Sequence, residues 1–164
     1  MNAKIEAALS EQINREFYSS YLYLAMAGWA DAQHRSGFAH WFSTQATEEY
    51  GHAMKLIKFV RDRGGNVHLK AIAEPPQTYK GLIDIFELTL AHEQKVTQHV
   101  HDLYEFALKQ KDYPTQIELQ WFITEQVEEE KNATDILAQL QLSKETPQAL
   151  MSLDRMMAMR AAKG

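Results

Sequence analysis

The sequence predicts an all-α protein, a four-helix bundle with one long crossover (up-down-down-up) followed by a short C-terminal fifth helix. Three observations carry this. Apolar residues recur at helical spacing through four long stretches. The prolines, Pro75, Pro76, Pro114 and Pro147, all fall between those stretches, which are thus free of helix breakers. One connection, between the second and third stretches, is long, while the others are short and force antiparallel neighbours.

The first helix is expected over about residues 3–32, with Ile5, Leu9, Ile13, Tyr23 and Leu24 on its apolar stripe. Ser36-Gly37 interrupts the period, and Ser36 is read as the N-cap of a second helix over 37–63. Gly64-Gly65 stops that helix, whose stripe holds Phe38, Trp41, Phe42, Leu56, Phe59 and Val60. Residues 66–79 have no helical period. A segment of that length, at about 3.3 Å per residue, can just cross a helix roughly 40 Å long. The third helix is expected over 80–111, with Leu82, Phe86, Val96, Val100 and Tyr104 inward. Asp112 caps a fourth helix over 113–142, which carries Pro114 in its first turn and Phe122, Ile136, Leu137 and Leu140 on its face. Thr146-Pro147 opens the fifth, over 147–160. The whole chain, 1–164, reads as one domain.

Composition excludes several functions. The chain has no cysteine, so thiolate metal sites, disulfides and thiol chemistry are out. Its net charge is -5 and it has no Lys/Arg-rich tail, which argues against nucleic acid as a partner. No apolar run is long enough to span a bilayer, and residues 1–6 lack the order of a signal peptide, so a cytoplasmic protein without a membrane partner is expected.

The informative residues are acids in the wrong place. At about 100° per residue, Glu16 projects into the first stripe, Glu49 and His52 into the second, Glu93 into the third and Glu129 into the fourth, with Glu125 and Gln126 flanking Glu129. Each lies near mid-helix, so the acids meet at one depth whichever way the helices run. No Lys or Arg stands on the central part of the four stripes. An uncompensated buried carboxylate costs several kcal/mol even after relaxation, so a metal is the economical partner. Carboxylates with one imidazole suit Fe or Mn. Glu49 and His52, three apart, reach one point inside the bundle. A metal-free structural bundle would instead need these acids at the rim, paired with arginines.

These residues resemble the bacterial non-haem ferritins over essentially the whole chain. The likeness rests on Glu16 in Glu-Phe-Tyr-Ser-Ser-Tyr-Leu-Tyr, on Glu48-Glu49-Tyr50-Gly51-His52-Ala53, on His92-Glu93 and on Glu125-Gln126-Val127-Glu128-Glu129-Glu130-Lys131. It implies a ferroxidase that oxidises Fe(II) with O2 or H2O2 at a two-iron centre and stores Fe(III) as mineral. Site A would be Glu16, Glu49 and His52. Site B would be Glu49, Glu93 and Glu129, with Gln126 alongside. A third iron position would draw on Glu48, Glu125, Glu128 and Glu129. Tyr23 and Trp121 match aromatics near the centre. The resemblance further implies a hollow homo-oligomer, a 24-mer. No haem is expected: Tyr50 stands where bacterioferritins carry a haem-binding Met, and Glu129 stands where they carry His. A rubrerythrin-like peroxidase would need the cysteines that are missing. Acids line threefold channels in the family, and Gln116 and Leu119 occupy the matching region here.

Taken singly, His34, His40, His68, His99 and His101 read as surface residues, and His92 as a neighbour of the centre. Met151, Met156, Met157 and Met159 read as packing material.

Overall fold

The computed structural model describes residues 1–144 and 146–161; the expected domain also includes 145 and 162–164, which lie outside the described residues. Five helices follow in order: α1 Ala3–Ala32, α2 Ser36–Asp62, α3 Leu82–Lys109, α4 Tyr113–Ser143 and α5 Pro147–Met157. Among the described residues there is no strand, and no helix is long and apolar enough to cross a membrane. The elements match expectation closely, with α3 starting later and α5 ending earlier than their periodicity suggested.

α1 and α2 form one antiparallel hairpin and α3 and α4 another, and each pair packs along its length. The segment between the hairpins runs up the side of α1. Asn66 N donates to Glu6 Oε2 (3.0 Å), His68 N to Ser10 Oγ (3.2 Å) and Lys70 N to Asn14 Oδ1 (2.7 Å). Tyr79 then meets Trp29 edge-on at 5.6 Å. The crossover therefore travels from the start of α1 to its end, about 35 Å at the helical rise.

Local chemistry sets the helix ends. Asn2 caps α1 by accepting from Lys4 N at 2.9 Å. Gly64, at φ +68°, takes the left-handed turn that ends α2. Asp112 caps α4, accepting from Thr115 N at 3.1 Å, as its position suggested. Ser36 does not cap α2: it is the first helical residue, Arg35 occupies the cap, and no side chain bonds there. Asp154, on α5, supplies a substitute by accepting from Phe38 N at 3.1 Å.

Two apolar clusters fill the bundle. One gathers Tyr23, Met26, Phe38, Trp41, Phe42, Ile85, Phe86 and Leu140. The other gathers Ile5, Leu9, Ile13, Leu56, Val60, Val100, Leu119 and Phe122. Leu24, expected on the α1 stripe, is 52% exposed, because the residues that turn inward there are Leu22, Tyr23, Met26 and Ala27. Leu119 is fully buried within the chain.

Arg63, just past α2, clasps the start of α4. It donates to both Asp112 oxygens (2.7 and 3.0 Å) and to Thr115 Oγ1 (2.8 Å). Burial pushes the Asp112 carboxyl up, but the bonds from Arg63 and Thr115 together hold it below the ordinary range. Stability from this clasp is thus present above the ordinary Asp pKa and lost as pH falls through the depressed one. Asp112→Ala removes the cap and leaves Arg63 without its partner, and is expected to cost about 2 kcal/mol. Thermal melts of the parent and Asp112→Ala should therefore converge as pH falls through the depressed Asp112 value; a gap that persists in strong acid would show that the carboxylate is not what holds the corner.

Candidate metal centre

Between the two apolar clusters lies a layer of buried polar side chains: Glu16 and Ser19 from α1, Gln45, Glu49 and His52 from α2, Glu93 from α3, Gln126 and Glu129 from α4. Each points inward because it occupies a position on its helix's inner stripe, and the periodicity predicted this for Glu16, Glu49, His52, Glu93 and Glu129. Glu16, Glu49 and His52 each offer one ligand atom, and these atoms lie within 4.8 Å of one another. His52 Nδ1 is 3.4 Å from Glu49 Oε2 and 4.0 Å from Glu16 Oε2. Among the described residues this is the sole such group of three.

The other predicted ligands adjoin it. Glu93 accepts a hydrogen bond from the Tyr23 hydroxyl. Gln126 Nε2 faces Glu93, 3.2 Å from its Oε2 and from its backbone oxygen, and 3.3 Å from Thr97 Oγ1. In this geometry Gln126 acts as a donor that steadies Glu93. Gln45 Nε2 donates to Glu49 Oε1 and to Glu129 Oε2, both at 2.9 Å, tying α2 to α4 across the layer. His52 is packed edge-on against Trp121 (5.2 Å) and Phe122 (5.9 Å). His92 flanks the centre: its Nε2 is 2.8 Å from Ser19 Oγ and its ring meets the Tyr23 ring edge-on at 6.0 Å.

The residues expected to form a third position lie outside this group. Glu48, Glu125 and Glu128 follow the groove between α2 and α4. Glu48 and Glu125 line one cavity of about 360 Å³ with His52 and Lys55. Glu48 and Glu128 line another of about 300 Å³ with Asp135 and Arg160. Glu48 is common to both. Although expected off the centre of its face, it is buried, and Arg160 pairs with it at 2.6 Å.

Burial and like charges set the electrostatics of the layer. Burial raises the carboxyls of Glu16, Glu49 and Glu93 to about 8, and their mutual repulsion adds to it: Glu49 acts on Glu16 and on Glu93, while Glu129 acts on Glu49. Among the described residues, no Lys or Arg pairs with these three. Burial also pushes the Tyr23 hydroxyl well above its ordinary value, with the charges of Glu93 and Glu49 behind it, so Tyr23 remains a donor to Glu93. Burial lowers His92 to about 4, helped by Lys95 and His99, so its ring is neutral near pH 7.

Three participants were not foreseen. Gln12 donates to Glu16 Oε1 at 2.7 Å and Gln45 to Glu49, each from one turn earlier on the same helix. A glutamine four residues before Glu16 and another four before Glu49 were the available signal. Arg160 had none, because it lies 112 residues from Glu48 along the chain.

Comparison with known proteins places this geometry. A family model described as ferritin-like domain matches residues 6–143. The chain is similar to the bacterial non-heme ferritin of Campylobacter jejuni, 36% identical over 155 residues that cover 94% of this chain and 93% of that one. It is 38% identical to the Staphylococcus aureus protein of the same name over 123 residues, 75% of this chain and 74% of the relative. Among solved structures, an open-pore ferritin from Archaeoglobus fulgidus superposes with a TM-score of 0.97 at 43% identity, covering 98% of this chain and 99% of that one. A humanized archaeal ferritin does so with a TM-score of 0.99 at 41% identity, covering 100% and 99%.

A pH dependence follows from the raised carboxyls. Folded values of about 8 against the ordinary 4.5 mean that the metal-free fold binds more protons than the unfolded chain between those values. Stability from these groups is full below the ordinary value and is lost as pH rises toward 8. The metal-free protein is expected to melt higher near pH 5 than near pH 8, with a shallower slope in Glu16→Gln. Zn(II), which is redox-inert, is expected to release protons on binding near pH 7, measured by calorimetry in buffers of different ionisation enthalpy. Metal uptake without proton release would show the carboxylates already ionised.

Proposed function

The chain belongs to the ferritin family, and from that premise we propose that it stores iron, oxidising Fe(II) with O2 or H2O2 at a two-iron ferroxidase centre and holding the Fe(III) product as mineral inside a hollow homo-oligomer, a 24-mer. The observation that carries this is the buried layer itself: the Glu16, Glu49 and His52 ligand atoms within 4.8 Å, with Glu93 and Glu129 beside them.

Iron is here a substrate and cargo. Glu16, Glu49 and His52 would receive one ion. Glu49, Glu93 and Glu129 would receive the other, with Gln126 holding Glu93 in place. Glu48, Glu125, Glu128 and Glu129 would accept a third on the way to the mineral. No haem is included, since Tyr50 follows Glu49 where a haem ligand would be needed. The donor set suits the reaction because hard anionic oxygens favour Fe(III) over Fe(II). Each Fe(II) gives up one electron, and the two electrons pass together to one O2 or H2O2. Tyr23 fixes Glu93 by its hydrogen bond, and Gln45 holds Glu49 and Glu129 at a set separation. Apolar clusters lie on both sides of the layer.

Assembly is supported by apolar side chains that the single chain leaves exposed. Tyr21 and Leu24 on α1 and Tyr50 and Met54 on α2 are exposed, with Leu24 and Tyr50 lining one shallow cavity between the helices. Met151, Met156 and Met159, expected to pack, are exposed around α5, while Met157 is buried. Subunit contacts would cover both sets.

Two outcomes test the function. His52→Ala is expected to slow the fast phase of Fe(II) oxidation by at least about tenfold while the cage survives sedimentation analysis; a near-parental rate refutes the first ligand set. Glu129→Ala is expected to bind one tight Fe(II) per subunit anaerobically, whereas Gln126→Ala keeps two and binds the second less tightly. The reverse order would make Gln126 the ligand and Glu129 its support.

A further inference from the structure

Arg160 lies three residues beyond α5 and reaches back to the metal centre. Its Nη2 donates to Glu48 Oε2 and to Gln45 Oε1, both at 2.6 Å. Its Nη1 is 3.5 Å from the backbone oxygen of Trp41, and its guanidinium lies 4.4 Å over the Trp41 ring. The side chain is 14% exposed and that of Glu48 4%.

The fold fixes this placement. Gly37 on α2 lets α5 approach so closely that a Cβ there would stand 1.7 Å from the Asp154 backbone oxygen. The Asp154 carboxylate accepts from Phe38 N, and the Arg160 backbone oxygen lies 2.8 Å from His40 Nε2. The tail is therefore tied to α2 on both sides of the guanidinium. Arg160 also dictates how Gln45 stands. A guanidinium only donates, so it takes the amide oxygen and leaves the amide nitrogen for Glu49 and Glu129.

We propose that Arg160 is a resident cation of the third metal position, seated on Glu48 in the metal-free protein and displaced when a divalent ion takes that carboxylate. The proposal rests on the reading of Glu48 as a ligand. A guanidinium cannot lose its charge near neutral pH, so it yields Glu48 only by moving. Every metal ion binding there competes with it, and Arg160 weakens the third position while meeting the buried pair only indirectly, through the neutral amide of Gln45. A weak third position suits an ion in transit to mineral.

The test is Zn(II) binding to the assembled protein, followed by calorimetry. The parent is expected to take two ions tightly per subunit and a third weakly. Arg160→Gln should tighten the third on the order of tenfold and leave the first two within about threefold, since one charge-assisted hydrogen bond no longer competes. Arg160→Lys should stay near the parent. Adding Glu48→Gln to either background should abolish the third ion alone. A third affinity unchanged in Arg160→Gln overturns the proposal and leaves Arg160 as an anchor of the tail. A parent that binds no tight pair overturns the ferroxidase reading itself, which is a separate result. Should Arg160→Gln fail to assemble, zinc-soaked crystals of the parent decide: the guanidinium turned away from Glu48 with zinc in its place supports displacement. Zinc on Glu48 beside an unmoved Arg160, or no zinc there at saturation of the pair, refutes it.

Discussion

Carboxylates buried at mid-bundle dictate how the four long helices can pack. Glu16, Glu49, Glu93 and Glu129 occupy a layer where four apolar helices would otherwise make one continuous core. An uncompensated charge there costs several kcal/mol, so the layer divides the interior into two clusters, each large enough to hold its half of the bundle. The aromatic weight lies on one side, where Phe38, Trp41, Phe42 and Phe86 pack edge-on or tilted within about 6 Å of one another. Such packing is stiff, and it lets the fold carry a layer that is unfavourable when its carboxylates are charged.

Preorganisation is the second consequence. Each acid has a hydrogen-bond donor that holds it before metal arrives: Gln12 for Glu16, Gln45 for Glu49 and Glu129, Tyr23 and Gln126 for Glu93. The donors are mostly neutral amides and a phenol. A lysine or arginine in their place would neutralise the acids and compete with metal at every position. The neutral donors orient the carboxylates while leaving their charge to the cation. Arg160 is the exception, and it meets Glu48 at the margin, away from the buried pair.

The sequence disclosed most of this layer because helical periodicity places a residue on a face without any knowledge of its neighbours. Glu16, Glu49, His52, Glu93 and Glu129 were legible as inward acids with one histidine, and Glu49-x-x-His52 as a shared point. Helix ends were legible where a residue has one dominant role, as with Gly64 and Asp112. The misses have physical causes. Ser36 looked like a cap, but the donor that matters, Phe38 N, is met by Asp154 from a distant helix. Leu24 falls at the edge of a stripe, where a small rotation of α1 sends it to the surface. Gln45 and Arg160 act through contacts across 84 and 112 residues of chain, which no local period encodes.

On the proposed reading the buried layer receives a pair of metal ions. Crystals soaked anaerobically with Fe(II) and measured on both sides of the iron absorption edge test it most directly. Two anomalous peaks are expected inside the bundle between the apolar clusters, one among Glu16, Glu49 and His52 and one among Glu49, Glu93 and Glu129. Iron confined to the exposed acids, with the buried layer empty and its carboxylates still bonded to Gln12, Gln45 and Tyr23, would contradict it.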